Sequence, residues 1–155
     1  LCDGCDEPLF RSDWCIMKTT ELLILIGSLL HFSTLIAALM VPGKLNWKGE
    51  LAKLAPFLRR MFWVYGAFIF LCICSLGVIS AVNYSELAAG GRLARSFCAF
   101  TAVFWGLRLL TQLFVFDASE YLTSWFYKAG YHGLTLVFIY QVAVYGYFAF
   151  APGLN

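Results

Sequence analysis

The sequence predicts an all-α integral membrane protein, an up-and-down bundle of four transmembrane helices with short interfacial helices in its connections. Of its 155 residues, 61% are hydrophobic and 13% are charged, whereas soluble domains average about 45–50% apolar and about 25% charged residues. A soluble fold of this length could not bury so much apolar surface. The sequence also contains four apolar runs, each close to the roughly 20 residues that cross about 30 Å of hydrocarbon.

The four predicted spans are residues 21–41, 60–82, 93–116 and 130–150, with approximate bounds. Backbone groups in lipid must form hydrogen bonds within their own segment, so runs of this length indicate helices and not strands. Pro42 and Gly43 end the first span. A cleaved signal peptide is the alternative for this first run, but its length, its central His31 and its lack of an A-x-A site disfavour that interpretation.

The connections carry their own patterns. In the first, apolar residues recur at helical spacing: Leu51, Leu54, Ala55, Leu58 and Met61. Basic residues lie on the other side of this segment: Lys48, Lys53, Arg59 and Arg60. This pattern predicts an interfacial amphipathic helix, with Pro56 in the first turn of the second span. In the third connection, Asp117 and Glu120 have capping-box spacing and predict another short helix. The second connection predicts a turn broken at Gly90 and Gly91.

The distribution of Lys and Arg predicts the orientation. The first and third connections together hold Lys44, Lys48, Lys53, Arg59, Arg60 and Lys128. The opposite side holds Arg11, Lys18, Arg92 and Arg95. Because cytoplasmic loops carry the excess of basic residues, the first connection is expected in the cytoplasm and both termini in the periplasm of a bacterial inner membrane. The net charge of +2 is too small to indicate a nucleic-acid partner.

Residues 1–16 differ from the rest and form a polar N-terminal extension, whereas residues 17–155 form the predicted transmembrane domain. The sequence from Met17 to Thr20 is typical of a bacterial start, so we expect the extension not to belong to the native protein. It contains Cys2, Cys5 and Cys15. A zinc ribbon needs two cysteine pairs, so a metal is not predicted. A disulfide and the absence of any role remain alternatives.

Polar residues inside the spans are the candidate functional residues, because ionisable groups are costly at that depth. His31 lies near the middle of the first span, on one face with small and hydroxyl residues: Gly27, Ser28, Thr34 and Ala38. Arg108 shares a face of the third span with Thr101, Trp105, Thr111 and Gln112. At about 1.5 Å per residue, His31, Arg108 and Gln141 come to similar depths. We therefore predict an intramembrane cluster of His31, Arg108, Gln112 and Gln141, which either locks the packing or serves a ligand. Lipid-facing snorkelling of Arg108 is the third alternative, which its depth disfavours.

His132 is a secondary candidate at the start of the fourth span. It lies half a turn out of phase with Gln141 on a straight helix, so both cannot face one polar core. His31 and His132 differ in depth by about 12 Å, which disfavours a bis-histidine haem. No cofactor is predicted. The sequence also lacks the G-x-G-x-x-G, Walker, H-E-x-x-H and G-x-S-x-G motifs of common enzyme classes.

Between Met17 and about Phe150, the chain resembles small four-helix bacterial membrane proteins. The resemblance lies in L-L-H-F at 29–32, F-W-G-L-R-L at 104–109, Q-L-F-V-F-D at 112–117 and G-Y-H-G-L-T at 130–135. It implies a four-helix fold and a bacterial membrane, but no activity.

Three functional hypotheses follow. The first is a non-enzymatic accessory or assembly protein that contacts lipid and packs against a larger membrane complex or another copy of itself. Its close-packing faces would be the pairs Ala102/Gly106 and Gly77/Ala81. The second hypothesis is a carrier of small molecules or ions that uses the polar cluster. The third is a redox or quinone-binding membrane enzyme.

Overall fold

The computed structural model of the chain describes residues 8–44, 47–114 and 125–150, and these residues form helices with short connections and no strand. The six helices are α1 (Pro8–Lys44), α2 (Trp47–Ala52), α3 (Pro56–Val82), α4 (Tyr84–Ala89), α5 (Arg92–Phe114) and α6 (Trp125–Phe150). The all-α prediction is confirmed.

Four helical segments are long and apolar enough to cross a membrane: Lys18–Met40, Pro56–Val82, Arg92–Phe114 and Lys128–Phe150. They match the four predicted spans to within a few residues, so the chain is a multi-pass membrane protein. Pro56 stands in the first turn of α3, as predicted. The first span belongs to a longer helix, because α1 begins at Pro8 and includes residues 8–16 of the predicted extension. The capping box at Asp117 and Glu120 lies outside the described residues.

The four spans do not pack in the order of the sequence. Helix α1 packs against α3 and α6, and α5 packs most extensively against α6. Helices α3 and α5 have little direct contact and are joined through α1, α4 and α6. The predicted up-and-down bundle with short connections implies that consecutive spans are antiparallel neighbours, and this expectation is wrong for the second and third spans. Hydropathy shows where a span lies along the chain but not which helix is its neighbour.

The second connection is a helix and not the predicted simple turn. Leu87 and Ala88 of α4 are buried and belong to one apolar core with Ile24 of α1 and Tyr145 of α6. This burial stabilises a six-residue helix that is too short to be stable alone. Gly90 ends it in the left-handed region, with φ of 74°, a conformation that glycine adopts without steric cost.

The two predicted close-packing pairs serve contacts within the bundle. Gly77 is buried where α3 crosses α1, and a Cβ atom there would lie 3.0 Å from the Cβ of His31. Gly106 faces α6, where a Cβ atom would lie 4.0 Å from a methyl group of Val142. Small residues allow such close helix approach in membranes. We therefore interpret these pairs as contacts between helices of the bundle and not as faces for an external partner.

The two halves of α3 differ in their packing. In its second half, Ile73, Leu76, Gly77 and Ser80 are buried. Before this, every residue from 52 to 71 is exposed except the half-buried Met61. The exposed side chains include large aromatic rings: Phe57, Phe62, Trp63, Tyr65, Phe68 and Phe70. We call residues 56–71 the unpartnered half of α3, because no other described helix buries it.

Candidate functional site

His31 lies at the centre of the bundle and is fully buried. The predicted inward-facing stripe of α1 is confirmed for Gly27, Ser28, His31 and Thr34, all of which are buried, but Ala38 is exposed. The hydroxyls of this stripe donate to carbonyls of their own helix: Ser28 to Leu25 at 2.7 Å and Thr34 to Leu30 at 2.9 Å. Their hydrogen-bonding capacity is therefore satisfied locally, and His31 is the residue that reaches other helices.

A hydrogen bond to α5 fixes the protonation state of His31. The indole Nε1 of Trp105 lies 3.0 Å from His31 Nε2, and an indole N–H can only donate. His31 Nε2 must therefore accept, so the imidazole is neutral and carries its proton on Nδ1. Trp105 is fully buried, and its ring meets the imidazole edge to face at a centroid distance of 5.3 Å.

The second ring nitrogen and Gln141 of α6 share one acceptor. His31 Nδ1 lies 2.8 Å from the Gly27 carbonyl oxygen, and Gln141 Nε2 donates to the same oxygen at 3.0 Å. The two nitrogens are 2.9 Å apart, but both donate to this carbonyl, so their contact is not a hydrogen bond. Gln141 Oε1 is buried and has no hydrogen-bond partner among the described residues. We call Gly27, His31, Trp105 and Gln141 the His31 network.

A second buried link joins α6 to α3. The Tyr145 hydroxyl donates to Ser80 Oγ at 2.8 Å, and both residues are fully buried. The Tyr145 ring also meets the imidazole of His31 edge to face, at a centroid distance of 5.6 Å. Through the network and this link, polar groups at the centre of the bundle connect all four spans.

The structure brings together two of the four predicted cluster residues, His31 and Gln141. Gln112 belongs to a separate contact between α5 and α6. Its Nε2 donates to Thr135 Oγ1 at 2.7 Å, and the Tyr131 hydroxyl donates to the Gln112 carbonyl at 3.1 Å. Seven residues separate Gln112 from Trp105, which corresponds to about 10 Å along α5. Gln112 therefore lies at another level of the bundle.

Arg108 does not face His31, contrary to the sequence-based expectation. It lies between Trp105 and Gln112 on the inner side of α5, but its side chain is exposed. Phe138 explains this placement, because its buried ring packs against Trp105 at a centroid distance of 5.0 Å. The Arg108 side chain extends over that ring, with Cζ 6.0 Å from the ring centroid. The space next to the His31 network is thus filled by an aromatic ring and not by a cation.

His132, the secondary candidate, is exposed and makes an edge-to-face contact with the neighbouring Tyr131 ring. In the described part of the chain, no group of three or more His, Cys, Asp or Glu side chains could hold a metal ion. Three cysteines lie in the described spans as free thiols: Cys72, Cys74 and Cys98.

Sequence reasoning missed the roles of Trp105 and Tyr145. Trp105 was noted only as a neighbour of Arg108, and Tyr145 was not singled out. The available signal was their position inside the spans. Tryptophan and tyrosine usually lie at the membrane–water interfaces, so either residue deep in a span calls for an explanation. A buried indole N–H or phenol O–H usually has a hydrogen-bond partner. Trp105 is 13 residues from the start of α5 and nine from its last described residue, so its partner had to be another buried polar group.

The geometry gives His31 no free nitrogen for chemistry. Its Nε2 lone pair is occupied by Trp105, and its Nδ1 proton is directed at a carbonyl. A general base or metal ligand needs an available lone pair. The network is thus suited to holding α1, α5 and α6 together. In comparisons with known proteins, no family model, no curated protein and no solved structure matches this chain.

Proposed function

We propose that the chain is a non-enzymatic accessory or assembly protein of the bacterial inner membrane. In this proposal, the buried polar contacts hold the bundle in one arrangement, and the unpartnered half of α3 packs against another membrane protein. One observation carries the proposal: the polar residues that would serve a substrate are buried and form their hydrogen bonds within the bundle. His31, Trp105 and Gln141 are each 0% exposed.

The carrier hypothesis has less support. It required Arg108 and Gln112 beside His31, but Arg108 is exposed over Phe138 and Gln112 is bonded to Thr135. A permeating ion or solute needs polar groups that exchange partners along a path. The described polar groups instead form separate internal contacts, which include the His31 network, the Tyr145–Ser80 link and the contact of Gln112 with α6.

The unpartnered half of α3 favours a protein partner because of its composition. Interfaces between proteins are enriched in aromatic residues, and Phe57, Trp63 and Phe68 are 71%, 52% and 65% exposed. Gly66 lies among them, and a Cβ atom at this position would meet nothing within 4 Å. A glycine with open space beside it permits another helix to approach closely.

Site-specific photo-cross-linking in cells tests the proposal. A photoreactive amino acid replaces Phe68 on α3 or, as a matched control, Leu136 on α6, which is similarly exposed at 67%. We expect a discrete protein adduct from position 68 and only lipid adducts from position 136. Co-expression of two differently tagged copies distinguishes another copy of this chain from a different partner. Lipid adducts alone from position 68 would contradict the proposal.

A further inference from the structure

The start of α3 lies at the edge of the membrane. From Met61 to Val82 the helix has 22 residues, which span about 33 Å. This length crosses about 30 Å of hydrocarbon. Arg59 and Arg60 therefore lie at the level of the lipid headgroups, on the side of the bundle that carries α2.

The charge at this edge is mainly positive. Lys53, Arg59 and Arg60 are all exposed, and Glu50 of α2 is the one acidic residue from residue 22 to residue 85 of the sequence. At the opposite edge the charges are mixed, because the exposed Glu86 of α4 is followed by the exposed Arg92 of α5. An anionic group is therefore favoured at the α2 side of the bundle and not at the α4 side.

Aromatic rings hold the positive residues at this level. Trp47 of α2 meets Phe62 edge to face at a centroid distance of 5.1 Å, and Phe62 meets Trp63 in the same way at 6.3 Å. Tryptophan at the headgroup level anchors helices to the membrane surface. Beyond these rings the unpartnered half of α3 continues as exposed apolar surface, with Leu71 59% exposed.

We propose that Lys53, Arg59 and Arg60 bind the headgroup of an anionic phospholipid whose acyl chains lie beside the exposed Trp63 and Val64, at the headgroup end of the unpartnered half of α3. The positive groups match a phosphate, and a guanidinium can bond two of its oxygens at once. Juxtamembrane clusters of basic residues attract anionic lipids. A lipid fits better than free phosphate, because the positive residues adjoin exposed apolar side chains and an amphiphile contacts both surfaces. The lipid is confined to the headgroup end of α3 and leaves the surface around Gly66 and Phe68 to the proposed protein partner, so this site does not depend on that partner.

Fluorescence quenching by brominated lipids tests the site. Trp63 serves as the reporter in a variant in which Trp14, Trp47 and Trp125 are replaced by Phe, while the buried Trp105 is retained. The protein is reconstituted into phosphatidylcholine vesicles that contain phosphatidylglycerol, with either lipid brominated at equal mole fraction. We expect phosphatidylglycerol to be preferred near Trp63 by about fivefold, the factor that one basic residue near an anionic surface contributes. Added salt should reduce this preference, because it screens exposed charges.

Two double variants with the same change in net charge complete the experiment. Arg59→Gln with Arg60→Gln should abolish the preference, whereas Lys18→Gln with Arg92→Gln, at the opposite edge, should preserve it. All four side chains are exposed, so helicity should remain at the parent value in both variants. The proposal is overturned if the parent shows no preference, or if the first double variant retains it. An equal loss in both variants would also overturn it, because it would reveal only an effect of net charge.

Discussion

The two halves of α3 belong to one apolar span but differ in their surroundings. No other described helix buries residues 56–71, although the Phe62 ring meets Trp47 of α2. In the second half, Ile73, Leu76, Gly77 and Ser80 are buried. The helix as a whole is long and apolar enough to cross a membrane. This property of the whole span does not indicate which half packs.

The difference lies in small and polar residues. Between membrane helices there is little hydrophobic driving force, because lipid is as apolar as a leucine side chain. The packed half offers Gly77 for close approach to α1 and Ser80 as a hydrogen-bond acceptor for Tyr145. The unpartnered half offers mainly bulky aromatic side chains. Helix pairing in this bundle is thus determined by close approach and buried hydrogen bonds.

Gly77→Leu should produce the largest effect of the substitutions considered. A Cβ atom at Gly77 would lie 3.0 Å from the Cβ of His31 and 3.2 Å from the Phe32 ring, so a leucine forces α1 and α3 apart. Overpacking of this kind costs about 3 kcal/mol. Thermal unfolding in detergent measures the loss. The matched control is Gly66→Leu, where nothing lies within 4 Å and stability should not change. Equal losses of stability in the two variants would contradict the conclusion that only the second half of α3 is packed against the bundle.

Trp105→Phe should come next, because it retains an aromatic ring but leaves His31 Nε2 buried without a donor. An unsatisfied buried acceptor costs about 1–3 kcal/mol. Trp63→Phe, on the unpartnered half, is the control and should leave the unfolding temperature unchanged. If both variants are as stable as the parent, the bond between Trp105 and His31 does not stabilise the bundle.

Tyr145→Phe removes only the hydroxyl that donates to Ser80 and keeps the ring. The expected loss is about 0.6 kcal/mol, the average for hydrogen bonds between membrane helices. Tyr65→Phe is the matched control, since Tyr65 is 59% exposed. Combining Tyr145→Phe with Ser80→Ala should cost no more than the larger single change, because each removes the same contact. Additive losses would show that the two hydroxyls act independently.

Arg108→Leu should have the smallest effect. The arginine is exposed and lies outside the His31 network, so its loss leaves that network intact. Membrane insertion should be retained, because removing a charge from a span removes a penalty of about 2.5–3.5 kcal/mol. Unfolding in detergent is the measurement. A loss comparable to that of Trp105→Phe would show that Arg108 belongs to the network after all.

The sequence predicted the spans well because their signal is local. Runs of apolar residues fix the lengths of the helices, and the small, polar stripe of α1 correctly predicted that His31 faces inward. The pairing of helices is a non-local property and was predicted less well, as the missing α3–α5 interface shows. The α4 helix was missed because its stability depends on the burial of Leu87 and Ala88 against other helices.

For the candidate cluster, the sequence predicted the positions of residues on their helices better than the positions of their side chains. Helical periodicity places a Cα atom on a face, but a long side chain can leave that face. Arg108 has the spacing of an inward residue, yet Phe138 occupies the space beside Trp105 and the arginine extends outward. Depth along a helix was more informative, since His31 and Gln141 were predicted at one level and share the Gly27 carbonyl.

Nitrogen NMR of His31 tests the central claim most directly, namely that a neutral histidine joins α1 to α5 by accepting from Trp105. The chain has two histidines, so ¹⁵N-histidine labelling of a His132→Gln variant leaves His31 as the one labelled imidazole. The account predicts a proton on Nδ1 and an unprotonated Nε2 at neutral pH, with an Nε2 resonance that shifts when Trp105→Phe removes the donor. A proton on Nε2, alone or together with one on Nδ1, would contradict the account, because that nitrogen could not then accept a hydrogen bond from the indole.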